Sequence, residues 1–324
     1  MKVKIDGFIL ALFCFIAVAY FFPQLYLWEE GTAIAWITSV GVSLIFFFYG
    51  LKLSFPQLKA GLRNWRLHLL VQTVTFVLFP LLLLPFYPFI QTQLQGDFWL
   101  SFFFLAALPS TVSSSVVMVS IARGNVPAAI FNASISGLIG VVVTPLWMQF
   151  FLDFGDVDIL NDVYWGLIKE IILPVIIGLL LQPYFGKWVW NHNRQLGLFD
   201  KSIILLIVYS SFAESFVSGI FASTGSFYLL WISVGVVFLF VWVYGLIYFL
   251  AKHVFKFSKE DQITALFCGS KKSLTHGSVF GKFLFAHSPS AGLYFLPLML
   301  FHAFQILVVT VIAQRYDKEG KDVI

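Results

Sequence analysis

Two adjacent lysines, Lys271 and Lys272, stand inside the apolar stretch Phe267-Cys268-Gly269-Ser270-Lys271-Lys272-Ser273-Leu274-Thr275-His276-Gly277. A charge near the centre of a bilayer costs about 2.5–3.5 kcal/mol on insertion scales, so two ammonium groups at that depth require hydrogen-bond partners, water or a ligand. A second polar run lies 158 residues earlier, Ala107-Leu108-Pro109-Ser110-Thr111-Val112-Ser113-Ser114-Ser115. Pro109 removes a backbone donor, while Gly269 with the hydroxyls of Ser270 and Ser273 makes an unwound turn tolerable. Pro109 and Gly269 therefore mark expected helix breaks. Broken helices expose amides and carbonyls that bind ions and carboxylates, and a pair of interrupted segments at matching places in two halves points to a transporter built from repeats.

Composition identifies the surroundings. With 60% hydrophobic residues, 39 Phe and 11% charged residues, the chain has too little polar surface to coat a soluble globule. It reads as an integral membrane protein of ten spans, near residues 6–23, 32–51, 67–86, 98–121, 127–151, 164–185, 202–222, 227–250, 262–285 and 290–313. Sixteen of the twenty Lys and Arg fall in the amino terminus, alternate loops and the tail, whereas the opposite loops carry Glu29, Glu30, Asp97, Asp153, Asp156, Asp158 and Asp162. By the positive-inside rule both termini are cytoplasmic. The net charge of +4 is thereby a topology signal, and no nucleic-acid partner is expected. Residues 1–185 hold spans one to six and 186–324 spans seven to ten, within a single membrane domain.

At about 1.5 Å of rise per residue, the lysines lie roughly 15 Å beyond Asp261 at the inner surface, at mid-membrane. Ser113, Ser114 and Ser115 reach similar depth from Arg123, so the two polar stretches can meet. Glu214 is the other deep charge, a candidate counter-ion or proton-carrying carboxylate. Asn132, Ser134 and Ser136, beside Gly137 and Gly140, either line a pocket or permit close helix packing. Gln72 and Thr75 face the same choice. Lys169, Glu170 and Lys282 sit nearer the outer ends of their spans, where a long side chain can snorkel to the interface, and a structural role is expected of them. Cys14 and Cys268 form no disulfide framework. There is no His-Glu-x-x-His, no Gly-x-Ser-x-Gly, no phosphate-binding glycine loop and no Cys/His metal spacing, so no enzymatic activity is expected.

At these two polar segments, with Ala122-Arg123-Gly124-Asn125 behind the first, the chain resembles the bile acid sodium symporter superfamily, most closely its sodium bile acid symporter-like branch. The resemblance covers nearly the whole chain. It implies an all-α membrane protein of two inverted five-helix repeats, with a panel domain from spans one, two, six and seven and a core from the others. Spans four and nine unwind and cross, with substrate between panel and core. It also implies that Ser113, Ser114, Ser115, Asn132 and Ser134 supply oxygens to sodium, the candidate coupling ion. Sodium-coupled members carry an acidic residue and amides around the ninth-span crossing, where this chain has Cys268, Gly269, Ser270, Lys271 and Lys272. A lysine then takes the place of the ion, or the pair holds an anionic substrate. The resulting expectation is a secondary transporter of a small organic anion across a plasma membrane, the inner membrane in a bacterium, coupled to sodium or protons. The alternative is a sensor or regulatory scaffold that uses the same fold without transport.

Overall fold

The computed structural model describes residues 7–27, 32–53, 64–152, 163–217, 219, 227–286 and 288–321. Lys2, Lys4, Glu29, Glu30, Lys59, Arg63 and the acidic stretch Asp153, Asp156, Asp158 and Asp162, which contribute to the orientation argument, lie outside these residues. All regular structure among the described residues is helical. In chain order the helices longer than one turn are α1 (Gly7–Phe21), α2 (Thr32–Lys52), α3 (Trp65–Phe89), α4 (Gln93–Ala107), α5 (Ser113–Ile121), α6 (Val126–Met148), α7 (Val163–Asn191), α8 (Asn193–Val217), α9 (Tyr228–Val254), α10 (Lys259–Gly269), α11 (Leu274–Leu284) and α12 (Ala291–Lys321). Seven of them, α2, α3, α6, α7, α8, α9 and α12, are long and apolar enough to cross a bilayer, and Leu10–Phe21 in α1 is a shorter apolar helix. The expected fourth and ninth spans are each two short helices: α4 and α5 are separated at 108–112, and α10 and α11 at 270–273.

The chain divides into two compact units. The first comprises Met1–Ser54, Pro145–Gly225 and Ser278–Phe295. In it α2 and α7 meet through facing glycines. A Cβ on Gly50 would lie 2.3 Å from the Val175 carbonyl oxygen, and one on Gly178 would lie 2.2 Å from that of Phe47. Glycine thus permits the backbone-to-backbone approach that helices in lipid use in place of a hydrophobic drive. Gly50→Ala and Gly178→Ala should each lower stability by about 1–3 kcal/mol through overpacking. Gly245→Ala, in α9 with nothing within 4 Å of its would-be Cβ, should be neutral or slightly stabilising, as thermal unfolding in detergent will read.

This unit also refines one expectation. Lys282 and Glu170 do not run to the interface. The Lys282 ammonium donates to Glu170 Oε2 at 2.9 Å and to Ser39 Oγ at 2.9 Å, and the Ser39 hydroxyl donates to Glu170 Oε1. Glu170 rides on a π-helical turn in α7, Ile168–Ile172, and the side chains of Lys282 and Glu170 are 20% and 16% exposed. Pairing inside the unit satisfies both charges and the Ser39 hydroxyl together.

The second unit comprises Phe55–Thr144, Ser226–Gly277 and Leu296–Ile324, and it holds both helix breaks. One end of it is tied by one carboxylate: Asp261 accepts from Asn64 Nδ2 at 2.6 Å and from Asn125 Nδ2 at 2.8 Å. Asn125 in turn accepts from the Ala128 amide at the start of α6. The beginnings of α3, α6 and α10 are thereby registered against one another.

Candidate functional site

The site follows from counting backbone groups that the helices leave over. Pro109 has no N–H, so the Leu105 carbonyl loses its ordinary donor four residues on and accepts instead from the Leu108 amide at 3.3 Å. The Ser110 amide goes to Ser136 Oγ at 3.0 Å, which leaves the Ala106 carbonyl without a helical partner. Thr144 Oγ1 donates to the Ala107 carbonyl at 2.8 Å. Pro109 itself packs on Gly140, where an added Cβ would come within 2.8 Å of the proline ring. In α3 a π-helical turn spans Val74–Leu78. The Phe79 amide bonds the Val74 carbonyl, and the next residue is Pro80, so Thr75 also keeps an orphan carbonyl.

Lys272 collects these leftovers. Its ammonium donates to the carbonyls of Ala106 at 2.6 Å, Leu108 at 2.8 Å and Thr75 at 2.8 Å, and its nitrogen lies 4.0 Å from the centroid of the Phe79 ring. Three protons meet three oxygens, all of them main-chain. The unwound segment that carries Lys272 is held from α12: Gln305 accepts from the Lys272 amide at 2.9 Å and donates to its carbonyl at 2.8 Å.

The two breaks bond each other reciprocally. The Ser273 amide donates to the Pro109 carbonyl at 2.9 Å, and the Ser115 hydroxyl donates to the Phe267 carbonyl at 3.2 Å. Both pairs obey the 158-residue offset, since Ser115 corresponds to Ser273 and Pro109 to Phe267. Ser110, whose counterpart is Cys268, donates to the Cys268 carbonyl. The carbonyls at the end of α10 are thus satisfied by hydroxyls from the first break, as required of buried helix ends. Ser273 then starts α11, its hydroxyl accepting from the His276 amide at 3.2 Å.

Lys271 differs sharply from its neighbour. It is 1% exposed, and its ammonium makes one bond, 3.4 Å to Ser114 Oγ. Ser114 donates onward to Thr111 Oγ1 at 2.9 Å, which pairs with Ser115 Oγ at 2.7 Å. No ion pair to Lys271 or Lys272 exists among the described residues. Ser113 opens α5. Ser270 bonds back to the Leu266 carbonyl at 2.6 Å. Asn132 is buried, donates to the Ala128 carbonyl at 3.0 Å and accepts from Gln72 Nε2 at 3.2 Å; Ser134 is buried in the same helix. Glu214 lies in the first unit, where Tyr26 hydrogen-bonds to it, while both lysines make their bonds within the second. Among the described residues no group of three or more His, Cys, Asp or Glu could hold a metal.

Gln305, Thr144 and Pro80 were not singled out by the sequence reading. Gln305 had a signal, an amide alone in the apolar run Phe301-His302-Ala303-Phe304-Gln305-Ile306-Leu307. Pro80 announces a missing donor, but not which carbonyl is left over, since that depends on the π-helical turn before it.

The model of the SBF-like CPA transporter family matches residues 6–318. The chain belongs to this family. It is 40% identical over 318 residues to a Pseudomonas aeruginosa protein named "Uncharacterized protein PA2026", covering 98% of this chain and 94% of that one. It is 35% identical over 318 residues to the Escherichia coli protein named "Putative symporter YfeH", covering 97% and 94%. The Xenopus laevis protein named "Sodium/bile acid cotransporter 7-B" is 31% identical over 288 residues, covering 85% and 81%. Membership in this family makes the chain a multi-pass membrane transporter, in keeping with its apolar helices.

Proposed function

We propose that this transporter moves a small organic anion across the plasma membrane by alternating access, and that Lys271 binds the anion's charge. The observation that carries the reading is the unequal use of two adjacent ammonium groups. Lys272 has all three protons on carbonyls, whereas Lys271, equally buried, has one bond to a hydroxyl and two donors to spare. Lys271 also stands by the amino-terminal turn of α5, where the helix dipole adds to its positive potential, so an anion there gains from both. The protons of Ser114, Thr111 and Ser115 run away from it along one chain to the Phe267 carbonyl, so the Lys271 ammonium itself supplies the donors for the anion. The name of the Xenopus relative, a bile acid cotransporter, supports an organic anion as cargo.

The architecture proposed for this cycle is ten spans in two inverted five-helix repeats. Its support is the reciprocal bonding of the two breaks at the 158-residue offset. The panel and core division is supported by the grouping of α1, α2, α7 and α8 in one compact unit and of α3, α4, α5, α9 and α10 in the other, while most of α11, the second half of span nine, groups with the first. The loop charges support a cytoplasmic position for both termini.

The test is uptake of labelled mono- and dicarboxylates and a conjugated bile acid by proteoliposomes of the full chain. We expect accumulation of at least one, with Lys271→Gln lowering its affinity about 10- to 150-fold, as loss of a charged hydrogen bond implies, while leaving the fold intact. Binding without accumulation would favour a sensor, and an absence of both uptake and binding would overturn the anion reading.

A further inference from the structure

We infer that the carbonyls of Thr75, Ala106 and Leu108 form a monovalent-cation site, that the Lys272 ammonium is its tethered occupant, and that a small free cation takes its place once the side chain is shortened. The inference adds a coupling device to the transporter reading above, but the site itself stands on geometry alone.

Each of the three oxygens lacks a helical donor for a separate reason. Thr75 loses its donor to the π turn and Pro80, Ala106 to the capture of the Ser110 amide by Ser136, and Leu108 to the break itself. All three point at one atom, at 2.6–2.8 Å, from two chain segments far apart in sequence. A fourth direction is closed by the face of the Phe79 ring, 4.0 Å away, whose quadrupole also favours a cation. Two of the oxygens belong to the carboxyl end of α4, the negative end of its dipole. A ring of carbonyl dipoles without a carboxylate is how filters replace the hydration shell of an alkali ion. The distances are those of an ammonium hydrogen bond, so the site suits ammonium and potassium better than the smaller sodium ion. Lys272 is fully buried and its ammonium is covalently tethered to the chain, which makes the occupant permanent. The charge that a free cation would bring and take away is thus built in, and the wild-type protein needs no sodium at this position.

The experiment is thermal unfolding of the purified full chain in sodium, potassium, ammonium, methylammonium and N-methylglucamine chlorides at one pH and ionic strength. The wild type should melt at the same temperature in all of them. Lys272→Ala should melt lower, and ammonium, methylammonium or potassium should raise its midpoint saturably by several degrees, since a ligand that binds only the folded state stabilises by mass action. N-methylglucamine, too large for the site, should do nothing. Lys272→Met, whose unbranched side chain fills the stem's volume and blocks entry, should melt low in every salt. A sodium-saturable rise in the wild type overturns the inference. So does a Lys272→Ala protein that folds but ignores cations, or one that fails to fold with any of them. A Lys272→Met response equal to that of the alanine variant also overturns it, since that is a general salt effect. None of these readings involves an anion. A failed anion screen with the cation pattern intact would therefore remove the proposed cargo and leave this site standing.

Discussion

Gln305→Leu is expected to cost about 2–5 kcal/mol of unfolding free energy, although leucine nearly matches glutamine in volume and opens no large cavity. The reason lies in what the amide serves. Gln305 is fully buried, and its two ends hold the amide and the carbonyl of Lys272, one at 2.9 Å and one at 2.8 Å. Lys272 stands in the unwound segment 270–273, so these two groups have no helical partner to return to. With leucine in place, a buried N–H and a buried C=O are both orphaned, each at about 1–3 kcal/mol. The loss should be measured by denaturant unfolding in detergent and accompanied by weakened anion binding, because Lys271 is the neighbour on the same unpinned strand. Unchanged stability would mean that the segment finds other partners.

A second large effect is expected in the other unit. Lys282→Met leaves the Glu170 carboxylate with the Ser39 hydroxyl alone, in a setting where its side chain is 16% exposed. Breaking a buried pair by removing one partner typically costs about 3–5 kcal/mol, and the residual exposure places this pair at the lower end. Glu170→Gln should cost less, since the amide oxygen still accepts from Ser39 or Lys282. The double variant Lys282→Met with Glu170→Gln should recover part of the loss, giving a coupling energy of about 1–3 kcal/mol in a double-mutant cycle. Strictly additive losses would show that the pair contributes no mutual energy.

The breaks were readable from local chemistry, because a proline and a glycine among hydroxyls can be recognised without knowing the fold. So was the importance of Lys271 and Lys272, since charge in an apolar run demands an explanation. What each lysine does was hidden. Lys272 takes its partners from backbone carbonyls at Thr75, Ala106 and Leu108, and any residue type offers a carbonyl. The vacancy arises from Pro80 and from Ser136, which act by withholding or diverting a donor. Lys282 and Glu170 are structural, as their place in the spans suggests, but their pairing is hidden for a related reason. Position along a span suggested access to the interface, yet the partner that decides their fate, Ser39, lies 131 residues before Glu170. A hydroxyl in an apolar helix bonds more often to its own backbone, so nothing at Ser39 distinguished it.

The ligation of Lys272 has a mechanical meaning. One ammonium binds the middle of α3, the end of α4 and the segment leading into α11, and through Gln305 that segment is fastened to α12. Charge-assisted bonds in a water-poor interior are short-ranged and directional, so a displacement of even 1 Å between these pieces would forfeit much of their strength. These pieces are therefore expected to move together. The meeting of the two breaks, which looks like a weak point in the helices, is instead braced from α3, α4 and α12.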